Sequence, residues 1–247
     1  MTTYRLRSEA GRSGLRLLLG AAMAASLLLG PGMGHVAASN ACTPPLANYF
    51  DGFDTRTLHT YGSYAYLNVR VGALCTGGSG TSAAWTMVAD DYYNGNGGYA
   101  QSGYASIQGH ITARPFSQWR QAQGYTPTTV WCVCTVSTTT LYATNYHFNT
   151  GHLYMYVNNS VYDSTNFDPA VSWSAPWDSQ YFGETWYLGD DMPGILTGHV
   201  TFGEVRYVSS RVSGWVTVPS GYFSSDSPRY GQTLNLNQFD IWTDPLH

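Results

Sequence analysis

Residues 98–107 read GYAQSGYASI, and this stretch indicates how the chain folds. Small and aromatic residues alternate in it with polar ones, and no apolar residue recurs every three to four positions. A period of two is typical of a β-strand, because successive side chains of a strand point to opposite faces. The stretch therefore predicts a strand in which Tyr99, Gln101 and Gly103 share one face.

The same alternation recurs along the chain in short runs rich in aromatic and β-branched residues, as is typical of antiparallel strands. These runs are 64–71, 83–89, 128–136, 152–159 and 199–208. The sequences FNTG (148–151) and VNNS (157–160) between runs predict tight hairpin turns. We predict an all-β chain that forms an antiparallel β-sandwich, with 209–233 as a long closing loop.

The first 38 residues have the features of a secretory signal peptide. Four arginines between positions 5 and 16 form a positive n-region, an apolar run spans 15–30, and small residues at 36–38 offer a cleavage site. No later stretch is apolar enough to cross a bilayer. We therefore predict a secreted, extracellular protein in which 1–38 is the signal peptide, 39–247 is a single β-sandwich domain, and no membrane contact remains after cleavage.

The predicted mature chain is acidic. It contains seven arginines, no lysine and fourteen acidic residues, for a formal charge of −7. An acidic surface without basic clusters argues against nucleic acid and anionic membranes as partners. Only Glu184 and Glu204 are glutamates in this part of the chain. We expect a monomer.

Four cysteines follow the leader, an even number that predicts two disulfides in an exported protein. Of the three possible pairings we favour one that contains Cys42–Cys75, which ties the mature N-terminus to the first strand. Cys132 and Cys134 lie on one face of a predicted strand, where a direct bridge would be strained. A single C-x-C pair is a weak zinc signal, so we predict no metal and no cofactor.

Glu184 stands among aromatic residues in YFGETWY (181–187). The spacing of two places Phe182, Glu184 and Trp186 on one face of a strand. A carboxyl group among rings is partly desolvated, which raises its pKa and favours proton transfer at mildly acidic pH. A side-chain amide such as that of Gln101 can donate a hydrogen bond to an oxygen that becomes negative. Together they predict a site for attack by an activated water on an amide carbonyl.

Several short motifs resemble the secreted glutamic peptidases of the eqolisin type. They are Trp85 followed by VAD, the tripeptide QSG at 101–103, Glu184 followed by Trp186, and the strand GHVTFGEV at 198–205. The segments DSTNFDP, YFGET and GDDMPG resemble, more distantly, plant neprosin-like peptidases. Those peptidases use two glutamates, whereas this chain has Tyr99 and no acid near Gln101, so the pattern is nearer to the eqolisins.

The resemblance implies a concanavalin-like jelly roll with a glutamine and glutamate dyad. It implies an acid-acting endopeptidase that cleaves unfolded protein or peptide substrates. Glu184 would be the general base, and Gln101 would orient the water and stabilise the oxyanion. The residues implied for substrate binding are Trp85, Tyr99, Tyr104 and Trp186.

Each of these residues also has a purely structural interpretation. Glu184 could pair with Arg114 or Arg206 and hold the sheets in register. Gln101 could satisfy buried backbone groups, and the tryptophans could be core aromatics. The chain would then be a non-catalytic concanavalin-like module that binds a carbohydrate or cell-wall polymer, because twenty tyrosines and eight tryptophans offer faces for sugar rings. No G-x-S-x-G motif and no closely spaced pair of glutamates supports another hydrolase chemistry.

Overall fold

The computed structural model describes residues 42, 48–56, 58–77, 79–90, 97–108, 112–132, 138–174, 177–195 and 197–244. Within these ranges the secondary structure is almost entirely strand. The strands are β1 Tyr49–Asp54, β2 Gly62–Asn68, β3 Thr81–Ala89, β4 Tyr99–Ile107, β5 Arg114–Arg120, β6 Thr128–Trp131, β7 Thr139–His147, β8 His152–Val157, β9 Ser160–Ser164, β10 Asp178–Thr185, β11 Gly194–Ile195, β12 Gly198–Val208, β13 Val216–Thr217, β14 Tyr222–Ser225, β15 Tyr230–Gln232 and β16 Phe239–Thr243, and the one helix is α1 Pro169–Ser172. The predicted signal peptide lies outside the described residues.

The strands form two sheets that pack face to face as an antiparallel β-sandwich, which confirms the predicted fold class. The seven-stranded sheet has the order β14-β1-β10-β3-β4-β5-β6. The nine-stranded sheet has the order β15-β16-β11-β12-β2-β7-β8-β9, and β13 pairs with β12. Only the short contact between β11 and β16 is parallel among the described pairings.

The hairpin turns lie where the sequence predicts them. The turn at 148–151 joins β7 to β8, and the backbone N–H of Gly151 donates to the carbonyl of His147 at 2.9 Å. The turn between β8 and β9 holds Asn158 and Asn159 at φ values of 49° and 65°. Asparagine tolerates this left-handed conformation better than most residues, and it suits the right-handed twist of a two-residue hairpin.

The core lies between the sheets and is rich in large aromatic side chains. The ring of Phe53 in β1 is fully buried and lies 4.9 Å from the ring of Tyr181 and 5.1 Å from those of Phe223 and Phe239, measured between centroids. Some polar groups bridge the two sheets through this interior, as where the Tyr181 hydroxyl donates to the carbonyl of Arg206 at 2.6 Å. The two inner faces are thus joined by apolar burial and by a few direct bonds.

Segment 209–233 differs from the prediction of one closing loop. It contains β13, β14 and β15, of which β14 lies at the edge of the seven-stranded sheet and β15 at the edge of the nine-stranded sheet. The segment therefore crosses from one sheet to the other and adds a strand to each. Strands of two to four residues are too short to show an alternating pattern in the sequence.

The disulfide predicted between Cys42 and Cys75 is present, and it closes a sequence separation of 33 residues. Cys132 is also disulfide-bonded, whereas Cys134 lies outside the described residues. The expectation of a strained bridge between these two cysteines is therefore not tested. Among the described residues, no helix is long and apolar enough to cross a bilayer.

Truncation of Phe53 tests the aromatic core. We expect Phe53→Ala to lower the free energy of unfolding by about 3–5 kcal/mol, because it removes a fully buried ring that contacts three others. Leu234→Ala is the matched control, since Leu234 is 72% exposed and its truncation should change stability by less than about 0.5 kcal/mol. Urea denaturation of both variants measures the difference, and equal midpoints would contradict this account of the core.

Candidate active site

The predicted site residues lie mainly on the face of the seven-stranded sheet that is turned away from the other sheet, here called the outer face. A second aromatic cluster covers part of it and includes Trp85, Phe116 and Phe182. Register explains the cluster, because Phe182 pairs with Trp85, Trp85 with Gly103, and Gly103 with Phe116 across adjacent strands. The predicted sharing of a face by Phe182 and Glu184 follows from the same alternation along β10.

Glu184 is buried at this aromatic cluster and is held by indole groups. The Trp85 Nε1–H donates to Glu184 Oε2 at 2.9 Å, and the side chain of Trp186 also hydrogen-bonds the carboxyl group. Burial raises the pKa of Glu184 to about 7, and the two indole bonds only partly oppose that rise. The direction is the one that the aromatic surroundings predict, and it makes Glu184 a proton-holding group below neutral pH.

Glu184 forms no ion pair with an arginine among the described residues. Arg206, one of the two arginines considered for it, pairs instead with Glu204, with Nη2 and Oε2 2.8 Å apart. The other, Arg114, has its guanidinium 5.6 Å from the centre of the Trp131 ring. The structural interpretation in which an arginine neutralises Glu184 is therefore wrong.

Gln101 belongs to a chain of hydrogen bonds on the same outer face. Its Nε2–H donates to Gln118 Oε1 at 3.1 Å, and the Tyr99 hydroxyl donates to the same oxygen at 2.7 Å. The Nε2–H of Gln118 in turn donates to Thr129 Oγ1 at 2.8 Å. These bonds orient the Gln101 amide, and its Oε1 makes no described hydrogen bond to another side chain. Gln118 was not predicted as a site residue, although alternation in RPFSQWR (114–120) places it on the same face as Phe116.

The sheet register separates Gln101 from Glu184. Glu184 pairs with Ala83 and Ala83 with Ala105, which is four residues from Gln101 along β4. That is roughly 13 Å along the strands and about 10 Å across two strand spacings. A dyad acting on one peptide bond needs both groups within about one water of each other, and the register places the two backbone positions farther apart than that.

The two groups still share one electrostatic environment. Burial raises the pKa of Tyr99 most, and the negative charge of Glu184 adds to that rise. The Arg120 guanidinium, 5.2 Å from the centre of the Tyr99 ring, acts in the opposite direction. The predicted wall residue Tyr99 therefore lies between the Gln101 network and the field of Glu184.

Gln180 is the residue of β10 that lies directly in line with Gln101 of β4, with β3 between them. Gln180 pairs with Met87, and Met87 pairs with Gln101. The Gln180 Nε2–H donates to Asp178 Oδ2 at 3.0 Å. Asp178 is thus hydrogen-bonded to Gln180, which lies in register with Gln101 across the sheet. The sequence did not point to Asp178, because the pairing of β10 with β3 cannot be read from either strand alone.

Tyr104 does not lie at this site. It is fully buried between the two sheets, and its hydroxyl accepts a hydrogen bond from the backbone N–H of Arg70 at 3.1 Å. The reason is alternation, since Tyr104 has the opposite parity to Gln101 and must point to the inner face. The substrate-binding role expected for Tyr104 is corrected to a core role, whereas Trp85, Tyr99 and Trp186 remain candidates.

One cluster of three potential metal ligands occurs among the described residues, formed by Cys42, Cys75 and Asp190. The two cysteines are bonded to each other, so their sulfur atoms are not thiolates. Asp190 accepts hydrogen bonds from the backbone N–H groups of Cys75, at 2.8 Å, and Thr81, at 3.1 Å. Its carboxylate thus orders the segment that leads into β3.

Comparison with solved structures finds glutamic peptidases. A complex of scytalido-glutamic peptidase with a peptide-based transition state analogue has a TM-score of 0.57 and 11% identity, and a complex with a transition state analogue inhibitor has 0.55 and 10%. SCP-B, described as a member of the eqolisin family of peptidases and bound to the tripeptide Ala-Ile-His, has 0.56 and 10%. Each match covers 81% of this chain and 100% of the other. No protein family model and no curated protein matches the sequence. At this identity the similarity shows a common fold.

Gly103 allows the strands at this site to pack closely. A Cβ atom there would lie 2.2 Å from the Ala84 carbonyl oxygen and 2.6 Å from Trp85 Cβ. We expect Gly103→Ala to reduce the free energy of unfolding by at least about 2 kcal/mol, because the nearest atom belongs to the backbone and cannot rotate away. Gly214→Ala is the control, since nothing lies within 4 Å of the added atom. Chemical denaturation of both variants checks the expectation, and two equal effects would refute it.

The raised pKa of Glu184 predicts a pH dependence of stability. The unfolded carboxyl loses its proton near pH 4.5, whereas the folded one keeps it to about pH 7. Unfolding therefore releases a proton in this window, and its free energy falls as pH rises, by on the order of 2–3 kcal/mol from this group. In Glu184→Gln the decline between pH 4.5 and 7 should be shallower by that amount. Thermal or urea unfolding across this range measures it.

Glu204→Gln is the matched control for that measurement. Glu204 is the other glutamate in the predicted mature chain, and its side chain is 55% exposed. Its removal should leave the slope of stability against pH nearly unchanged. The buried Asp51, whose pKa burial raises to about 8, adds to the decline in all three proteins and so cancels in the comparison. A slope that is identical in wild type and Glu184→Gln would show that Glu184 is ionised in the folded protein.

Proposed function

We propose that this protein is a secreted, acid-acting peptide hydrolase whose site lies on the outer face of the seven-stranded sheet. The observation that carries the proposal is the pair of side-chain groups on that face: the oriented amide of Gln101 and the carboxylate of Asp178, linked to the same row through Gln180. The common fold with peptidases that bind transition state analogues and a tripeptide supports a peptide as the substrate.

Gln101 has the role of the oxyanion donor. Its amide is neutral at every pH, and its position is fixed by the bond to Gln118. Such a preorganised donor stabilises the negative oxygen of a tetrahedral intermediate at no cost of reorganisation. The Tyr99 hydroxyl donates to the same Gln118 oxygen and keeps the amide in that orientation.

The carboxylate of the reaction is assigned to Asp178 and not, as the resemblance implied, to Glu184. A general base must reach the water that attacks the carbonyl held by Gln101. By the register Asp178 lies two residues from the row that contains Gln101 and Gln180, and accepts a hydrogen bond from Gln180, whereas Glu184 is four residues away along the strands. Asp178 would take the proton from water and return it to the leaving amine. Peptide cleavage needs no cofactor in this scheme.

Glu184 has a different role in this scheme. An extended peptide advances about 3.3 Å per residue, so Glu184 would meet the substrate several residues from the cleaved bond. Its protonated carboxyl can donate a hydrogen bond to a substrate carbonyl, and the rings of Trp85 and Trp186 provide apolar surface beside it. Because this contact needs the proton, activity should decline as pH rises through about 7.

The predicted leader and the disulfides support a location outside the cell. Cys42–Cys75 is bonded and Cys132 is disulfide-bonded as well, as is usual in oxidising compartments. The leader predicted at 1–38 supplies a route there. Digestion at acidic pH would then act on proteins already unfolded by the surroundings.

The test is digestion of an unfolded protein by the purified protein and its variants from pH 2 to 8. We expect cleavage that peaks in acid, is abolished in Asp178→Asn and falls by on the order of a hundredfold or more in Gln101→Ala. Glu184→Gln should retain part of the activity and lose the decline near pH 7. Ser220→Ala, an exposed position outside the site, is the control and should be fully active.

The outcomes separate the two carboxylates. Activity that disappears in Glu184→Gln but persists in Asp178→Asn would assign the general base to Glu184, as the resemblance to the eqolisins implies. Activity that persists in both would exclude a carboxylate of β10. Absence of cleavage by the folded wild-type protein at every pH would end the peptidase proposal.

A further inference from the structure

A groove of about 260 Å³ lies on the outer surface of the nine-stranded sheet, on the opposite side of the sandwich from the candidate active site. Its floor is made by Ala143 and Asn145 of β7. These two residues have small or short side chains, whereas Tyr64 and Tyr156 on the adjacent strands stand on either side of Ala143. The alternation of large and small residues across three strands therefore creates the depression.

Aromatic rings form both walls of the groove. On one side the rings of Tyr64 and Trp215 lie 5.2 Å apart, and the indole reaches over Gly62, where a Cβ atom would lie 3.0 Å from Trp215 Cη2. On the other side the rings of His147 and Tyr156 stack with centroids 6.1 Å apart, and His147 Nε2 hydrogen-bonds the Tyr156 hydroxyl. The walls thus hold their rings in place through mutual contacts.

The floor of the groove carries an unsatisfied acceptor. Asn145 Oδ1 is buried and has no hydrogen-bond partner among the described residues. It lies beside Gly62 and next to the Trp215 indole, since a Cβ atom added to Gly62 would lie 2.9 Å from this oxygen and 3.0 Å from Trp215 Cη2. A buried oxygen of this kind costs free energy unless a ligand or water donates to it. The groove therefore has an unsatisfied hydrogen-bond acceptor at its base, which a ligand reaches when the Trp215 indole moves aside, and aromatic faces at its sides.

The lining is uncharged. The groove residues include no aspartate, glutamate, lysine or arginine among the described positions. Burial lowers the pKa of His147, so its imidazole is neutral near pH 7. The nearest charges are those of Arg206, 5.9 Å from the centre of the Tyr64 ring, and of Glu204, which pairs with it. A neutral ligand with apolar faces and several hydroxyl groups matches these features.

We propose that this groove binds a neutral polysaccharide, one sugar ring of which stacks between the Trp215 and Tyr156 walls while a hydroxyl group donates to Asn145. Pyranose rings have apolar faces that pack on aromatic rings and equatorial hydroxyl groups that reach amides. The volume is slightly below the roughly 300 Å³ at which pockets for drug-sized ligands begin, so the groove holds a short part of a chain. This site is independent of the proposed peptidase activity.

Titration of the purified protein with soluble glycans tests the proposal. The probes are hexasaccharides of β-1,4-glucose, β-1,3-glucose and β-1,4-N-acetylglucosamine, followed by calorimetry and by tryptophan fluorescence. We expect at least one to bind, with binding about tenfold weaker in Trp215→Ala and less affected in Trp215→Phe, which keeps a stacking face. Tyr125→Ala is the matched control, because Tyr125 is 59% exposed and lies outside the groove.

Circular dichroism confirms that each variant is folded before binding is compared. Binding should be unaffected in Asp178→Asn, and cleavage of protein by Trp215→Ala should equal that of the wild type, so this site and the peptidase site succeed or fail separately. No binding of any probe by the folded protein would overturn the proposal, as would equal affinities of wild type and Trp215→Ala. Self-association that Trp215→Ala abolishes would also overturn it and would assign the groove to a second copy of the chain.

Discussion

The fold depends on the burial of both faces of β10. All eight residues of this strand are buried, because β1 and β3 flank it, the second sheet covers one face, and the aromatic cluster at Trp85 covers the other. A strand in this position must satisfy every polar side chain it carries, and β10 carries a carboxyl group at each end of its outer face, on Asp178 and Glu184. One is bonded by a neighbouring amide and the other by indoles.

These two solutions give the carboxyl groups different properties. Indole N–H groups are neutral donors, and they do not repay the loss of hydration that burial of Glu184 costs, so the pKa of Glu184 stays near 7. An arginine in their place would have lowered that pKa and fixed a permanent charge. The aromatic surroundings therefore leave Glu184 able to gain and lose a proton within the range of ordinary extracellular pH.

The sequence allowed prediction of most features that depend on alternation within one strand. The fold class, the turns at 148–151 and 157–160, and the shared face of Tyr99 and Gln101 follow from local patterns. Tyr104 was misplaced although the same rule assigns it to the core. The separation of Gln101 from Glu184 and the contact of Asp178 with Gln180 depend on which strands pair and in which register, and these result from packing of the whole chain. Segment 209–233 was missed because its strands are too short for a periodic signal.

The two outer surfaces of the sandwich point in opposite directions, with the Gln101 network on one and the Trp215 groove on the other. The core between them is rich in aromatic residues, so neither surface can turn toward the other without unfolding. A protein attached to a solid material through one side would consequently present the other side to the surrounding fluid.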